Sequence, residues 1–135
     1  MKIVVIDDGI LPVFRKELNI IEDIVVSGGN LVINKSDEIP ISTDHGFNAC
    51  KIINEYAPEA ELISIRIFNP NEMNADIKDL ITAFKYCLDN SIPIIHFSGG
   101  SVNLKDDYLL RDIIKDIINN GQAEENNCSM FLSLM

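Results

Sequence analysis

The stretch that most limits what this chain can become is Lys2–Ile10, which reads KIVVIDDGI. Ile3, Val4, Val5 and Ile6 are all β-branched, so the run is stiff and strand-prone. It has no polar alternation, which suits a strand covered on both faces, as in a parallel sheet. Asp7, Asp8 and Gly9 follow at its C-terminal end. In open α/β sheets that edge is where ligands and chemistry gather.

Further along, Ile20–Ser27 and Leu31–Asn34 flank Gly28-Gly29-Asn30 and predict a hairpin. Pro12 is expected to break any helix beginning there. Lys35–Thr43 is polar and contains Pro40, so it predicts a loop. Asp44-His45-Gly46 opens a helical pattern in which Ala49, Cys50, Ile53 and Ala57 share a face, and Pro58 ends it. Leu62–Phe68 predicts a second buried strand, interrupted by Ser64 and Arg66. Asn74 is the expected cap of a helix whose apolar face carries Ile77, Leu80, Ile81, Phe84, Cys87 and Leu88. Pro93–Phe97 predicts a third strand that runs into Ser98-Gly99-Gly100-Ser101. A last helix is expected from Asn103 to Gly121, with Leu109, Leu110, Ile113, Ile114, Ile117 and Ile118 as its stripe. The order of elements predicts a three-layer α/β/α domain with a mainly parallel sheet and right-handed crossovers. Gln122–Met135 changes character, from a polar run to CSMFLSLM, and reads either as one more strand or as a tail.

With 135 residues, 47% of them hydrophobic, the chain is long enough for one domain with a real core. The net charge of −10 argues against nucleic acid or an anionic membrane as partner and is compatible with basic peptides. Three widely spaced cysteines, Cys50, Cys87 and Cys128, fit reduced thiols rather than a disulfide framework or a zinc site. With no leader pattern and no run of membrane-spanning length, the expected location is cytoplasmic. No cofactor or metal is expected.

Three features fall on or next to the predicted C-terminal edge of the strands. Asp7 and Asp8 end the first strand, His45 starts a helix, and Ser98, Gly99 and Gly100 end the third strand. A neutral imidazole is a general base, and a buried carboxylate on its Nδ1–H side fixes its tautomer and steadies the imidazolium that forms. Glycines after a strand leave room for a peptide backbone alongside. His96 reads as a core or edge histidine with its nitrogens satisfied by backbone.

In this order the motifs resemble those of the subtilisin-like serine peptidases, in which Asp precedes His along the chain. VVIDDGI resembles the segment around the family's catalytic Asp, with Asp7 in that position, and its Asp-Asp-Gly-Ile form looks most like the kexin/furin branch. DHGFNACKII resembles the His-Gly helix, with His45 as the base. The family usually has Thr where Phe47 stands. APEAELISIRIF is similar to the family's segment after that helix. IPIIHFSGGS resembles the strand whose backbone pairs with substrate. The resemblance implies Asp7 and His45 as catalytic residues, and Asp8, Ser98, Gly99 and Gly100 as substrate-binding residues. It also implies that Asp8 faces a basic substrate side chain. By the same likeness residues 1–121 are the N-terminal part of a peptidase domain with an incomplete subtilisin-like fold, and 122–135 a divergent tail.

In that family the nucleophile lies in a Gly-Thr-Ser-Met-Ala-like motif, with an oxyanion-hole Asn before it. Neither occurs in these 135 residues. Ser129 and Ser133 are not in such a motif. Acyl transfer without them lacks both its attacking group and its main electrostatic stabiliser. In subtilisin, loss of the nucleophile alone costs on the order of 10⁶ in rate. The expectation is therefore a peptidase fragment, inactive alone, whose partners are a peptide or protein substrate and, through an incomplete sheet, further copies of itself. The alternative is a non-catalytic module that keeps the peptide groove without the chemistry. A phosphoacceptor receiver domain would also place acids after a first strand, but no Asp ends either later strand.

Overall fold

The structure is a computed structural model that describes residues 1–35, 44–68, 74–98 and 129–133, together with positions 111, 112, 115, 116 and 119. Its elements are β1 (Lys2–Asp7), a short 3₁₀ turn (Pro12–Phe14), β2 (Ile20–Ser27), β3 (Asn30–Ile33), α1 (His45–Tyr56), β4 (Glu61–Arg66), α2 (Ile77–Asp89), β5 (Ile94–Ser98) and β6 (Ser129–Ser133). They form a six-stranded sheet in the order β3-β2-β4-β1-β5-β6. Only β3 runs antiparallel to its neighbour; the other pairings are parallel. This is the α/β architecture expected from the order of apolar runs.

β1 lies in the interior of the sheet, with β4 on one side and β5 on the other. Ile3 pairs with Leu62 and Ile94, and Ile6 pairs with Ile65 and Phe97. Its side chains alternate between two cores, which is why the run needs no polar position. Val4 and Ile6 join Ile63, Ile65, Ile95 and Phe97 under α2, where Phe84 and Ala83 are fully buried. Ile3 and Val5 join Leu62, Ile10, Leu18 and Cys50 on the α1 side. The two helices therefore cover opposite faces of the same strand.

The hairpin turns on Gly28 and Gly29, with φ of +59° and +78°. Two successive left-handed residues make the tight turn whose twist matches the flanking strands, and Ser27 pairs with Asn30 across it. The Gly29 N–H donates to Asp79 Oδ1 at 2.7 Å, which ties the hairpin tip to the first turn of α2.

Two local expectations are corrected. Asp76, not Asn74, caps α2, its side chain accepting from the Lys78 N–H at 2.9 Å. Asp76 is the residue just outside the helix, in extended geometry, and only from there does a short carboxylate reach that donor. Pro12 does not simply break a helix. It opens the 3₁₀ turn, at a position where its missing N–H costs nothing.

Of the two readings left open for the C-terminal stretch, residues 129–133 take the strand, with Ile94 opposite Ser129 and Ser98 opposite Ser133. Arg111, Asp112, Lys115, Asp116 and Asn119 are helical and exposed. The apolar stripe expected between them lies outside the described residues, as does most of the predicted loop before Asp44. Among the described residues no helix is long and apolar enough to cross a membrane.

Candidate active site

Asp7 is the last residue of β1 and shares its face with Ile3 and Val5, so its carboxylate points toward α1. It is 1% exposed. One oxygen accepts the Asp8 N–H at 2.8 Å. The other, Oδ2, lies 2.7 Å from His45 Nδ1. With Nδ1–H donated to Asp7, the imidazole carries its lone pair on Nε2. His45 is 40% exposed, so that nitrogen belongs to a ring open to solvent on its other side. Burial pushes the Asp7 carboxyl above its ordinary range, while the hydrogen bonds from His45 and the Asp8 N–H pull the other way.

A second bond fixes where α1 begins. The Gly46 N–H donates to Asp8 Oδ1 at 2.9 Å. A Cβ on Gly46 would sit 2.5 Å from the Gly9 carbonyl oxygen and 2.9 Å from Asp8 Oδ1. The start of the helix is pressed against the Asp8-Gly9 turn, and only glycine fits. The pairs Asp7-Asp8 and His45-Gly46 thus interlock, acid to imidazole and acid to backbone.

Asp8 is 1% exposed. Its burial and its bond to Gly46 make it an anchor for the helix that carries His45. Ser98 ends β5 one residue beyond Phe97, which pairs with Ile6, so the Ser98 backbone stands at the same sheet edge as Asp7. Gly99 and Gly100 lie outside the described residues.

Two residues on this face went unassigned in the sequence. His96, read as a histidine satisfied by backbone, lies opposite Val5 on β5. It lines one groove with His45, Asn48, Ala49, Ile52 and Ile53, of about 360 Å³. Burial lowers its pKa, and the neighbouring His45 lowers it further. The available signal was parity: His96 stands two residues from Ile94 on the same strand, and so on the same face. Arg66, which pairs with Asp7 across β1 and β4, is 6% exposed. Burial lowers its pKa, and the charges of Asp8 and Asp23 oppose that shift. Its guanidinium supplies the positive charge that a cluster of buried carboxylates needs.

The thiol nearest this pair, Cys50 of α1, does not serve as an attacking group. Cys50 is buried on the α1 side, and burial, reinforced by Asp7 and Asp23, pushes its thiol up to about 12. A thiol held so far above neutral pH is not a nucleophile. Among the described residues no group of three or more His, Cys, Asp or Glu could hold a metal ion. What remains is a carboxylate–imidazole pair at a sheet edge, able to accept and return one proton.

No protein-family model matches the chain, and no curated protein matches it. Among solved structures it is similar to the crystal structure of a lanthipeptide protease, with a TM-score of 0.62 and 19% sequence identity. The match covers 90% of this chain and 35% of that one. The chain therefore spans about a third of that protein's length, and at this identity what the two share is the fold.

Proposed function

We propose that the chain carries the acid–base part of a subtilisin-like serine endopeptidase site. The observation that carries this reading is the 2.7 Å contact between Asp7 Oδ2 and His45 Nδ1. The order Asp then His, and a fold shared with a lanthipeptide protease, support it. In the reaction, a serine hydroxyl attacks the scissile carbonyl carbon as His45 Nε2 takes its proton. His45 then returns that proton to the departing amine as the C–N bond breaks. Water repeats the cycle on the acyl-enzyme. Asp7 holds the tautomer and stabilises the imidazolium. Asp8 fixes the helix that carries His45, and its burial leaves a basic substrate residue no direct contact with it. The backbone at Ser98 to Gly100 pairs with an extended substrate.

The serine is the part this sequence lacks, so the purified chain is proposed to be inactive. A fluorophosphonate probe tests this directly. No labelling is expected, and a labelled serine on this polypeptide would overturn the inactive reading. The second reading, a peptide-binding module without catalysis, is favoured by the same missing motif. Extended peptides that bind, and lose affinity when Ser98–Gly100 is altered, would select it.

A further inference from the structure

β3 ends the sheet, and among the described residues β2 is its one neighbour. The Asn34 N–H donates to the Asp23 carbonyl at 2.7 Å, so Asn34 points its amide at β2. Inward and outward backbone groups alternate along an antiparallel ladder. Asn30 and Val32 therefore also face β2, and Leu31 and Ile33 aim their N–H and C=O groups away from the sheet. The side chains here are apolar and open: Val32 is 61% exposed and Ile33 51%. Edges of this kind are ordinarily guarded by a charge, a proline or a bulge. Between Asn30 and Asn34 there is none of these.

The segment Asn30-Leu31-Val32-Ile33-Asn34 reads alike in both directions: amide, aliphatic, valine, aliphatic, amide. Such a segment complements a second copy of itself run antiparallel. Centred on Val32, that pairing sets Leu31 against the partner's Ile33, and Ile33 against the partner's Leu31, each through both N–H···O=C bonds. Those are the groups that point outward. Val32 then meets the partner's Val32 across the two-fold axis, at the close spacing of a pair without mutual hydrogen bonds. Asn30 stands beside the partner's Asn34. Leu31 and Ile33 share the α2 face with Val26 and Ile24, which lie opposite them in β2, so the core on that side continues across the join. One residue past the ladder, exposed Lys35 falls opposite the partner's Gly29. The Gly29 N–H is held by Asp79, so opposite charges come together at both ends.

We propose that two copies of this chain join through β3, as an antiparallel pair centred on Val32 that makes one continuous sheet through both. Any extended strand could meet the backbone of this edge. A copy of Asn30–Lys35 also matches it side chain by side chain and charge by charge. The net charge of −10 makes two copies repel at a distance, and physiological salt screens that repulsion beyond about 8 Å. The ladder acts at contact, inside that range. It is short, below the size of a standard interface, so the dimer is weak and forms as concentration rises. β3 lies at the opposite end of the sheet from β5 and β6, and its pairing does not depend on the peptidase reading.

Sedimentation equilibrium of the full chain at physiological salt, from micromolar to submillimolar concentration, should show monomer and dimer in exchange. Val32→Lys and Val32→Glu each set like charges face to face, and each should weaken the dimer about tenfold or more. Because position 32 meets itself, an equimolar mixture of the two variants should dimerise at least as well as the parent. Val32 is exposed, so both variants should keep the parent's circular dichroism. Amide hydrogen exchange supplies a second readout. Raising the concentration should slow exchange at Leu31 and Ile33, and leave Val32, which faces Val25 within the hairpin, unchanged. A monomer at every concentration, association indifferent to either charge, a mixture that stays monomeric, or exchange at Leu31 and Ile33 that does not follow concentration would overturn the proposal.

Discussion

The two faces of the sheet are built from the same strands and differ in nearly everything else. Under α2 the core is apolar, with Val4, Ile6, Ile63, Ile65, Phe84, Phe97 and their neighbours, and the buried acid on that helix, Asp79, is spent on the Gly29 N–H of the hairpin. Toward α1 the same strands bury Asp7, Asp23, Ser64 and Arg66 beside their apolar residues. Alternation along β1, β2 and β4 sends one parity to each side. One face thus supplies burial, and the other holds charges that are costly unless paired. The pairing is visible in Arg15, which holds Asp23 at 2.8 Å, and in His45 on Asp7. A sheet of this kind can carry chemistry on one side because the other side is left to pack.

The largest expected effect tests the apolar face. Phe84 is fully buried and packs edge-on to Phe97 at 6.0 Å. Phe84→Ala should cost about 3–5 kcal/mol in urea unfolding, through lost burial and a cavity. If the faces are separate in role, any folded fraction keeps the His45 tautomer. Next comes Gly46→Ala on the polar face. The methyl meets backbone at 2.5 Å, so the helix start must shift. A loss of about 1–3 kcal/mol is expected by the same measurement. Unlike the core change, it should also break the Asp7–His45 bond, read as loss of that imidazole's Nδ1–H signal. A Gly46→Ala protein with unchanged stability and an intact bond would contradict the interlocked geometry.

The smallest effect concerns His96. Burial holds its folded pKa below the ordinary imidazole value of about 6.5. The unfolded chain therefore takes up the proton at higher pH than the folded one. The stability this group contributes is present above the ordinary value and is lost as pH falls through it and toward the folded one. His96→Asn should flatten the acid side of a stability–pH curve and leave the neutral side nearly unchanged. An acid limb identical to that of the parent would mean His96 is not held neutral by its surroundings.

Much of this was legible from local pattern. β1 was carried by four β-branched residues, and the hairpin by paired glycines between apolar runs. The helix at His45 was marked by helical spacing and Pro58. Each is a signal written within a few residues. What escaped depended on neighbours brought from elsewhere. Asp8 reads, through the resemblance, as a substrate contact until α1 delivers the Gly46 N–H to it. Arg66 reads as an interruption until buried Asp8 and Asp23 require its charge. His96 reads as core until β5 is set beside β1 with a known register. The convergence of Asp7 and His45, 38 positions apart, was legible as a chemical pairing at one strand edge, and the resemblance to a family singled it out. Composition and periodicity supplied the edge and the helix, but not their meeting.

The central claim is that Asp7 holds His45 as a base through Nδ1. Long-range ¹⁵N–¹H spectra of the imidazoles, at a pH where the ring is neutral, test it most directly. His45 should be protonated on Nδ1 with a strongly downfield proton, and Asp7→Asn should abolish that signal and change the tautomer. A ring protonated on Nε2, or an Nδ1–H signal indifferent to Asp7→Asn, would contradict the account.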